Sequence, residues 1–314
     1  MRPDEFRVDP DIRFASTPPA ALHGDGAWWT ALAEKVLARS WHVVALAADV
    51  AAKESVRPVT LLPGVLGEPL LLTRDRKDRL HCLSNVCTHR GNLVAPCAGP
   101  AKLLRCGAHG RTFRLDGELT DAPGMEGALG FPSPADSLTR VAVATWGPLV
   151  FASLDPSTPF ENVIAPVRER FIPLELAAMT LDAVATLDDE VGAHWLLCAE
   201  RLLECGDVAP RSALFPTTFI DVHPWGLTVQ SLAPLTPTRT RVRRFTFVAD
   251  AARRPTADAA HPAPLRDDAV LAQMQQCVGA RLRSPSRYAP RDDAAIHRFH
   301  AMLADRLAAP PHAW

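Results

Sequence analysis

A chain of 314 residues is long enough to build two packed domains. Its hydrophobic share of 47% and charged share of 22% are ordinary for a globular protein. A net charge of −1 argues against nucleic acid or an anionic membrane as a partner, because no global field would attract either. Apolar runs stay well short of the length of about 18 residues that a membrane-spanning helix needs, so no span is expected.

The amino terminus and the cysteine content both bear on the cellular compartment. The first residues, MRPDEFRVDPDIRF, contain no apolar stretch of the kind found in a secretion signal. Seven cysteines, an odd number in a chain of this length, do not suggest a framework of disulfides. We therefore expect a protein of the reducing cytoplasm.

The amino-terminal half is predicted to contain one helix followed by a β-rich block. Residues 1–22 are expected to form a loosely structured arm, and Trp28–Trp41 has apolar residues at helical spacing. From about residue 43, short apolar or β-branched runs alternate with Gly, Pro and Asp, which predicts strands. The block ends near residues 155–159, where the sequence DPSTPF indicates a linker.

The carboxy-terminal half is predicted to combine helices with a sheet. Residues 192–205 have a helical pattern, and residues 217–250 alternate in the manner of two or three antiparallel strands. After an Ala/Pro-rich loop, two helices with acidic amino-terminal ends, which suit the helix dipole, close the chain. The sequence therefore predicts an α+β protein with domain boundaries near residues 42 and 155.

Four residues of metal-binding type cluster in the β-rich block. Cys87 and His89 form a C-x-H pair, and after sixteen residues Cys106 and His109 form a C-x-x-H pair. A zinc site is one interpretation, but a zinc finger usually pairs Cys with Cys and His with His. One Cys and one His in each loop favour a [2Fe–2S] cluster in which two thiolates hold one iron and two imidazoles hold the other. Chance clustering of four such residues is the remaining alternative.

This stretch closely resembles the Rieske centre of the ring-hydroxylating oxygenases, with all four ligands present. Another class of Rieske proteins adds a disulfide whose positions here hold Asn92 and Ala108, so the resemblance is to the oxygenase class. Glycines in the loops, including Gly91 and Gly110, are expected to let backbone N–H groups approach the bridging sulfides. Arg111 replaces the Trp of the family pattern C-P-Y-H-G-W. We expect its charge to raise the reduction potential and its side chain to dock a partner carboxylate.

The resemblance extends along nearly the whole chain and implies an architecture. A β-rich Rieske [2Fe–2S] domain would occupy residues 43–155. The arm and helix of residues 1–42 would join residues 156–314 in a helix-grip (START-like) catalytic-type domain, an antiparallel sheet curled round a long helix.

Family members also carry a mononuclear iron held by two histidines and one carboxylate. At the matching positions, Asp207 stands for the first histidine, Ser212 for the second, and Asp268 for the carboxylate. Two carboxylates and a serine are a poor Fe(II) site, since oxygen donors favour Mg²⁺, Ca²⁺ or Mn²⁺. The mononuclear iron is therefore predicted to be absent.

Two alternatives would keep a second metal. One is an unusual ligand set of Asp207, the surviving carboxylate and Cys205, and the other is a site supplied by His297 and His300, spaced i, i+3 in the last helix. The simpler expectations are that these two histidines lie on the helix surface and that Cys205 is a buried apolar residue. His194 is expected to pack or hydrogen-bond at the start of its helix.

In the family, an electron passes from the Rieske centre of one subunit to the iron of the next in a head-to-tail trimer, bridged by a carboxylate that Glu204 matches here. The leading hypothesis is an electron-transferring or structural subunit of an oxygenase system. It would be served by an NAD(P)H-dependent reductase or ferredoxin, and assembled with an iron-competent paralogue or as a homotrimer. The alternatives are an active mono- or dioxygenase with an unusual metal site, and a non-enzymatic iron–sulfur redox sensor or scaffold.

Overall fold

A computed structural model describes residues 1–24, 26–170, 176, 179–204, 211–249, 252 and 265–310. The chain divides into two compact units, one formed by His42–Asp155 and the other by Met1–Trp41 with Pro156–Trp314. Within the described ranges, no helix combines the length and the apolar character needed to cross a membrane. The six cysteines that the structure describes are all free thiols.

The unit His42–Asp155 is described throughout and consists mainly of strands. They are β1 (His42–Leu46), β2 (Ser55–Leu61), β3 (Glu68–Arg74), β4 (Leu80–Ser84), β5 (Gly99–Pro100), β6 (Leu104–Arg105), β7 (Thr112–Phe113), β8 (Leu119–Asp121), β9 (Arg140–Trp146) and β10 (Leu149–Ser153), with 3₁₀ turns at Ala47–Val50 and Pro134–Asp136. One antiparallel sheet has the order β1-β10-β9-β4-β3-β2-β5, and β6-β7-β8 form a smaller sheet.

The core of this unit follows from the apolar runs in its strands. β3 reads EPLLLTR and pairs on both sides, and Leu70–Thr73 are fully buried, as a central strand requires. Leu83 and Phe113 pack into a cluster that also contains Cys87 and Cys106. Two of the four predicted metal ligands thus lie in the apolar core of the unit.

The second unit surrounds a helix with an antiparallel sheet. Its elements are α1 (Ala27–Ala31), α2 (Phe160–Arg170), β11 (Thr180–Leu181), β12 (Leu187–Val191), α3 (Trp195–Glu204), β13 (Arg211–Leu214), β14 (Thr218–His223), β15 (Gly226–Thr236), β16 (Arg239–Val248), α4 (Ala269–Cys277) and α5 (Ala294–Ala308), with 3₁₀ turns at Pro3–Glu5, Ala20–His23 and Leu265–Asp267. The described strands have the order β11-β16-β15-β14-β13, and β12 also pairs with β16. α3 packs against β15 and β16 and against α4 and α5. The predicted α+β fold, a strand-rich domain with an antiparallel helix-grip sheet, is confirmed.

The start of α3 is capped by a histidine. Nδ1 of His194 accepts a hydrogen bond from the Leu196 N–H at 3.2 Å, and the His194 N–H donates to Oε1 of Gln275 in α4 at 2.7 Å. A side-chain acceptor at this position satisfies a backbone donor that the first turn leaves unpaired. The expectation that His194 hydrogen-bonds at the helix start is confirmed.

Two elements differ from the sequence prediction. The helix expected over Trp28–Trp41 continues beyond α1 as a π-helical stretch, Leu32–Leu37, closed by a bond from the Ala38 N–H to the carbonyl five residues earlier. β12 was not predicted, because its sequence LDDEV is acidic. Asp188 in β12 accepts a hydrogen bond from Nε of Arg241 in β16 at 2.6 Å, so cross-strand ion pairs support this strand.

Candidate metal centre

Two loops with the same backbone fold carry the predicted ligands. They are the first ligand loop, residues 87–92, and the second ligand loop, residues 106–111. In each loop the N–H of the glycine, Gly91 or Gly110, donates to the cysteine carbonyl at 3.0 Å. In each, the cysteine N–H donates to the carbonyl of the last loop residue at 2.8 Å. The repeated geometry places the two cysteines equivalently, whereas the histidine is the third residue of the first ligand loop and the fourth of the second.

The glycines allow the chain to turn in both ligand loops. Gly91 and Gly110 have φ of +75° and +77°, the left-handed region that residues with a side chain rarely adopt. Their own N–H groups close the turns on the cysteine carbonyls. The N–H groups of Ala108 and His109 reach the thiol of Cys106, and the approach of backbone N–H groups to bridging sulfides stays a prediction.

The four ligand side chains come together as the spacing predicts. The thiols of Cys87 and Cys106 are buried and lie within hydrogen-bond reach of each other. The rings of His89 and His109 meet edge to face, with centroids 4.6 Å apart. Nδ1 of His89 is buried and has no hydrogen-bond partner among the residues that the structure describes. Since a buried ring nitrogen is normally bonded, this lone pair is suited to a metal.

The electrostatics of the loops favour the metal-binding protonation state at His89 and Cys106, but not at Cys87. Burial and the neighbouring charges of His109 and Arg111 lower the pKa of His89, which favours the neutral imidazole. Burial acts to raise the pKa of Cys106, but hydrogen bonds, first of all from the Ala108 N–H, hold it below its usual value. Burial raises the pKa of the paired Cys87 thiol.

The arrangement fits two irons better than one zinc. In the part of the chain that the structure describes, no three Cys, His, Asp or Glu side chains converge on a single metal position. A zinc site would gather all four ligands round one ion, whereas each iron of a Rieske cluster takes only two protein ligands. Cys87 and Cys106 would hold one iron, and His89 and His109 the other.

Arg111 occupies a different environment from the one predicted. Only 5% of its surface is exposed, so the expectation that it docks a partner carboxylate is wrong. Its NH1 donates to Oγ1 of Thr88 in the first ligand loop at 3.0 Å, and its guanidinium lies over the Phe131 ring. The sequence could not show this, since Phe131 lies on a distant segment of the chain.

Comparison with known sequences decides the family. Residues 40–142 match the Rieske [2Fe-2S] domain, and residues 202–309 match the ring hydroxylating alpha subunit (catalytic domain). The chain belongs to the Rieske oxygenase α-subunit family. The Rieske domain implies a [2Fe–2S] cluster, for which the residues above are suited.

Relatives in this family include characterised monooxygenases. The carnitine monooxygenase oxygenase subunit of Escherichia coli (strain K12) is 28% identical over 210 residues, which are 66% of this chain and 54% of that protein. The chloroplastic choline monooxygenase of Spinacia oleracea is 31% identical over 152 residues, 48% of this chain and 34% of that protein. The match therefore spans about half the length of the first relative and a third of the second.

Solved structures share the fold. The apo form of the quaternary ammonium Rieske monooxygenase CntA superposes with a TM-score of 0.77 at 20% identity, covering 96% of this chain and 99% of that chain. Naphthalene 1,2-dioxygenase with indole bound gives a TM-score of 0.66 at 14% identity, covering 93% of this chain and 85% of that chain. At these identities the likeness concerns the fold alone.

An ion-pair cluster lies at the end of α3, where the sequence predicts a degenerate second metal position. Asp268 caps α4: its Oδ1 accepts from the N–H groups of Val270 and Leu271, both at 3.0 Å. Its Oδ2 accepts from Nε of Arg201 at 2.7 Å. The same Arg201 donates through NH1 to Glu204 at 3.0 Å. Arg201, which the sequence did not mark as a site residue, thus joins two of the predicted site residues.

The other predicted residues of this second site are placed separately. Ser212 lies in β13, is buried and pairs with Ile220 of β14. Asp207 and Cys205 lie outside the described residues.

His297 and His300 are not on the helix surface as expected. They are 7% and 2% exposed. Nε2 of His297 lies 2.8 Å from the Asp9 carbonyl, and Nδ1 of His300 lies 2.8 Å from the hydroxyl of Tyr288. Both histidines therefore have bonding partners in the core of the unit, and the expectation of surface positions is wrong.

A buried carboxylate joins His300 to the amino-terminal arm. Oε1 of Glu200 lies 2.8 Å from Nε2 of His23 and 3.1 Å from Nε2 of His300. Burial alone would raise the pKa of Glu200, but the charge and hydrogen bond of His23 and the bond from His300 hold it well below its usual value. The sequence signal was a carboxylate in the middle of the apolar residues of α3, but its partners lie far away in the sequence.

Proposed function

We propose that this chain is an electron-transferring or structural subunit of a Rieske oxygenase system, and that its own mononuclear iron site has been lost. The observation that carries the proposal is the bonding of the Asp268 carboxylate. One oxygen caps α4 and the other accepts from Arg201 at 2.7 Å. An oxygen that accepts from a guanidinium is a poor ligand, and the fixed positive charge of the guanidinium opposes a second cation nearby.

The residues at the other two ligand positions support the same conclusion. Asp207 and Ser212 stand where the family pattern has histidines. Fe(II) that activates oxygen is held by two neutral imidazoles and one carboxylate. Replacing both imidazoles with oxygen donors adds negative charge and removes the preferred ligands. Arg201 supplies positive charge to the described carboxylates, Asp268 and Glu204, without a metal.

A cluster without an acceptor in the same chain would pass its electron to another protein. An NAD(P)H-dependent reductase or a ferredoxin would supply the electron, and the iron of a same-fold paralogue in a hetero-oligomer would receive it. The Glu204 side chain, 37% exposed at the end of α3, is the residue we assign to contact across that interface. A cytoplasmic location belongs to this proposal.

The named relatives favour a second candidate function. Carnitine and choline monooxygenases are enzymes named for quaternary ammonium compounds, and part of this chain is 28–31% identical to them. The second candidate is therefore an active monooxygenase of such a compound that uses unusual metal ligands. Asp268 would have to release Arg201 for this chemistry.

The first experiment separates the two candidates. The purified chain should contain about two irons and two acid-labile sulfides, and no third iron. Supplied with a reductase and with carnitine or choline, it should reduce its cluster without coupled substrate oxidation. Turnover by the single chain that is lost in Asp268→Ala would establish the second candidate instead.

The second experiment tests the electron route. Co-expression with a same-fold paralogue that retains both histidines should yield a complex that oxidises substrate. His109→Ala in this chain should lower turnover while the complex still assembles. If turnover is unchanged, the chain has only a structural role there, and if only a homotrimer or monomer forms, the hetero-oligomer is wrong.

A further inference from the structure

Arg111 is a buried cation within the second ligand loop. It is the last residue of the second ligand loop, two positions after His109, and it is 5% exposed. Burying a guanidinium costs free energy unless its charge and its donors are satisfied. The contacts of this side chain therefore indicate what the fold gains from placing it there.

The side chain ties one ligand loop to the other. The Arg111 carbonyl accepts from the Cys106 N–H at 2.8 Å, which closes the second ligand loop. Its NH1 donates to Oγ1 of Thr88, which lies between the two ligands of the first ligand loop, at 3.0 Å. The Thr88 hydroxyl in turn donates to the Asp136 carbonyl at 2.7 Å. Arg111 thus contacts both ligand loops, one through its carbonyl and the other through its guanidinium.

The positive charge of Arg111 is only partly compensated. Its closest described carboxylate contact is Oδ1 of Asp136, 3.7 Å from NH1, which is beyond hydrogen-bond distance. That carboxylate is engaged through Oδ2 with the N–H and hydroxyl of Ser133, at 2.8 and 2.9 Å. The other contacts of the guanidinium are the Phe131 ring, 5.2 Å away, and the Met125 sulfur, 3.9 Å from NH2. Nε has no partner within the described chain.

We propose that Arg111 is a positioning residue of the metal centre, which braces the two ligand loops and raises the affinity of the cluster for an electron. Two ferric ions, two sulfides and two thiolates sum to zero charge, and reduction by one electron leaves a charge of minus one. A cation in a low-dielectric position stabilises the reduced form more than the oxidised form. This inference is independent of whether the chain oxidises a substrate itself.

The test compares three variants of the cluster-loaded full chain by redox titration at one fixed neutral pH. Arg111→Met removes the charge but keeps much of the volume, and Arg111→Lys restores a charge without the guanidinium fork. Arg90→Met removes an exposed cation from the first ligand loop as the matched control. We expect a lower midpoint potential in Arg111→Met, a largely restored one in Arg111→Lys, and a much smaller fall in Arg90→Met, because water screens an exposed charge.

A second measurement keeps the proposal testable if Arg111→Met does not retain its cluster. Asp136→Asn leaves Arg111 in place and removes its only described carboxylate partner, while the amide oxygen can still accept from Ser133. Its midpoint potential should rise. The rise caused by Asp136→Asn should persist when it is combined with Arg111→Lys, because the lysine retains the positive charge that Asp136 offsets.

The bracing of the two ligand loops by Arg111 can be measured separately from its electrostatic effect. Both Arg111 variants should lose iron to a chelator faster than the parent chain, and their EPR spectra should broaden, because the bond to Thr88 is altered. An unchanged midpoint in Arg111→Met, or an equal fall in Arg90→Met, would overturn the electrostatic role. Unchanged chelation rates in both variants would overturn the brace.

Discussion

The ligand loops and the carboxy-terminal end of α3 differ in whether their polar side chains have hydrogen-bond partners. In the loops, Nδ1 of His89 is buried without a partner in the described structure, and two thiols lie in the apolar core. At the end of α3, Asp268 and Glu204 are both bonded to Arg201. One region retains lone pairs that the protein does not satisfy, and the other satisfies its charges internally.

The difference separates a position with an unsatisfied ring nitrogen from one whose carboxylates are already bonded. An unsatisfied buried donor or acceptor costs about 1–3 kcal/mol, so a fold tolerates it where a ligand compensates. A carboxylate held by a cation and two N–H groups has no such deficit. Within one family fold, bonding partners therefore separate the two positions more clearly than residue type does.

Breaking the ligand loops should give the largest effect. Cys87→Ser and His109→Ala should each abolish the cluster, since Rieske assembly requires all four ligands. Loss of the visible absorbance, the labile sulfide and the EPR signal of the reduced protein measures this. Cys277→Ser, which removes an exposed thiol outside the loops, should change none of them. Bound zinc without labile sulfide in the parent chain would contradict the assignment.

Glu200 of α3 is a carboxylate whose charge is satisfied in the core, and it can be compared with the partly exposed Glu204. Glu200→Gln should lower the free energy of unfolding by about 3–5 kcal/mol, because two buried imidazoles lose their anion. Denaturant unfolding followed by tryptophan fluorescence measures the change. Glu204→Gln, whose ion pair is partly exposed, should cost less than about 1 kcal/mol. Equal losses would show that burial does not decide the cost.

Acid should weaken the unit that contains α3 through His194. Burial lowers the pKa of His194 to about 3, below the ordinary value of 6.5. The unfolded chain therefore binds a proton first as the pH falls, and this contribution to stability, complete above pH 6.5, is lost progressively toward pH 3. The slope should reach about 1.4 kcal/mol per pH unit. His194→Asn keeps a capping acceptor and should flatten the slope, and an unchanged slope would exclude His194 as its source.

The smallest effect should come from Asp268. Asp268→Ala removes a helix cap and an ion pair and should cost about 1–2 kcal/mol of unfolding free energy. Asp268→Asn keeps a capping oxygen and should cost less than about 1 kcal/mol. Iron content should be the same in both variants and the parent. A loss of iron in both would show that the carboxylate binds metal and would remove the contrast between the two regions.

The sequence predicted these two regions unequally. The four ligands of the loops could be assigned because each Cys/His pair lies in one short turn, where local spacing determines geometry. The loss of ligands at the second position stays a prediction from residue types alone. The role of Arg201 was not, since its bond to Asp268 joins residues 67 positions apart.

Burial was the property that local pattern predicted least well. Arg111, His297 and His300 were expected at the surface, and each is at most 7% exposed. Their partners, which include Phe131, Asp9 and Glu200, come from other segments of the chain. From an amphipathic pattern alone, a polar residue is predicted to be exposed to solvent, because the pattern does not reveal a partner that is distant in the sequence.

By itself, the sequence determined the fold class, the family and the placement of one Cys/His pair in each of two short loops. These depend on periodicity and short spacing, which act within a few residues. Only the tertiary structure decided which polar side chains are satisfied: Nδ1 of His89 has no partner among the described residues, Asp268 is compensated by Arg201, and Arg111 is a buried cation. The physical reason is that desolvation and hydrogen bonding depend on all neighbours in space, and most of those neighbours are distant in the chain.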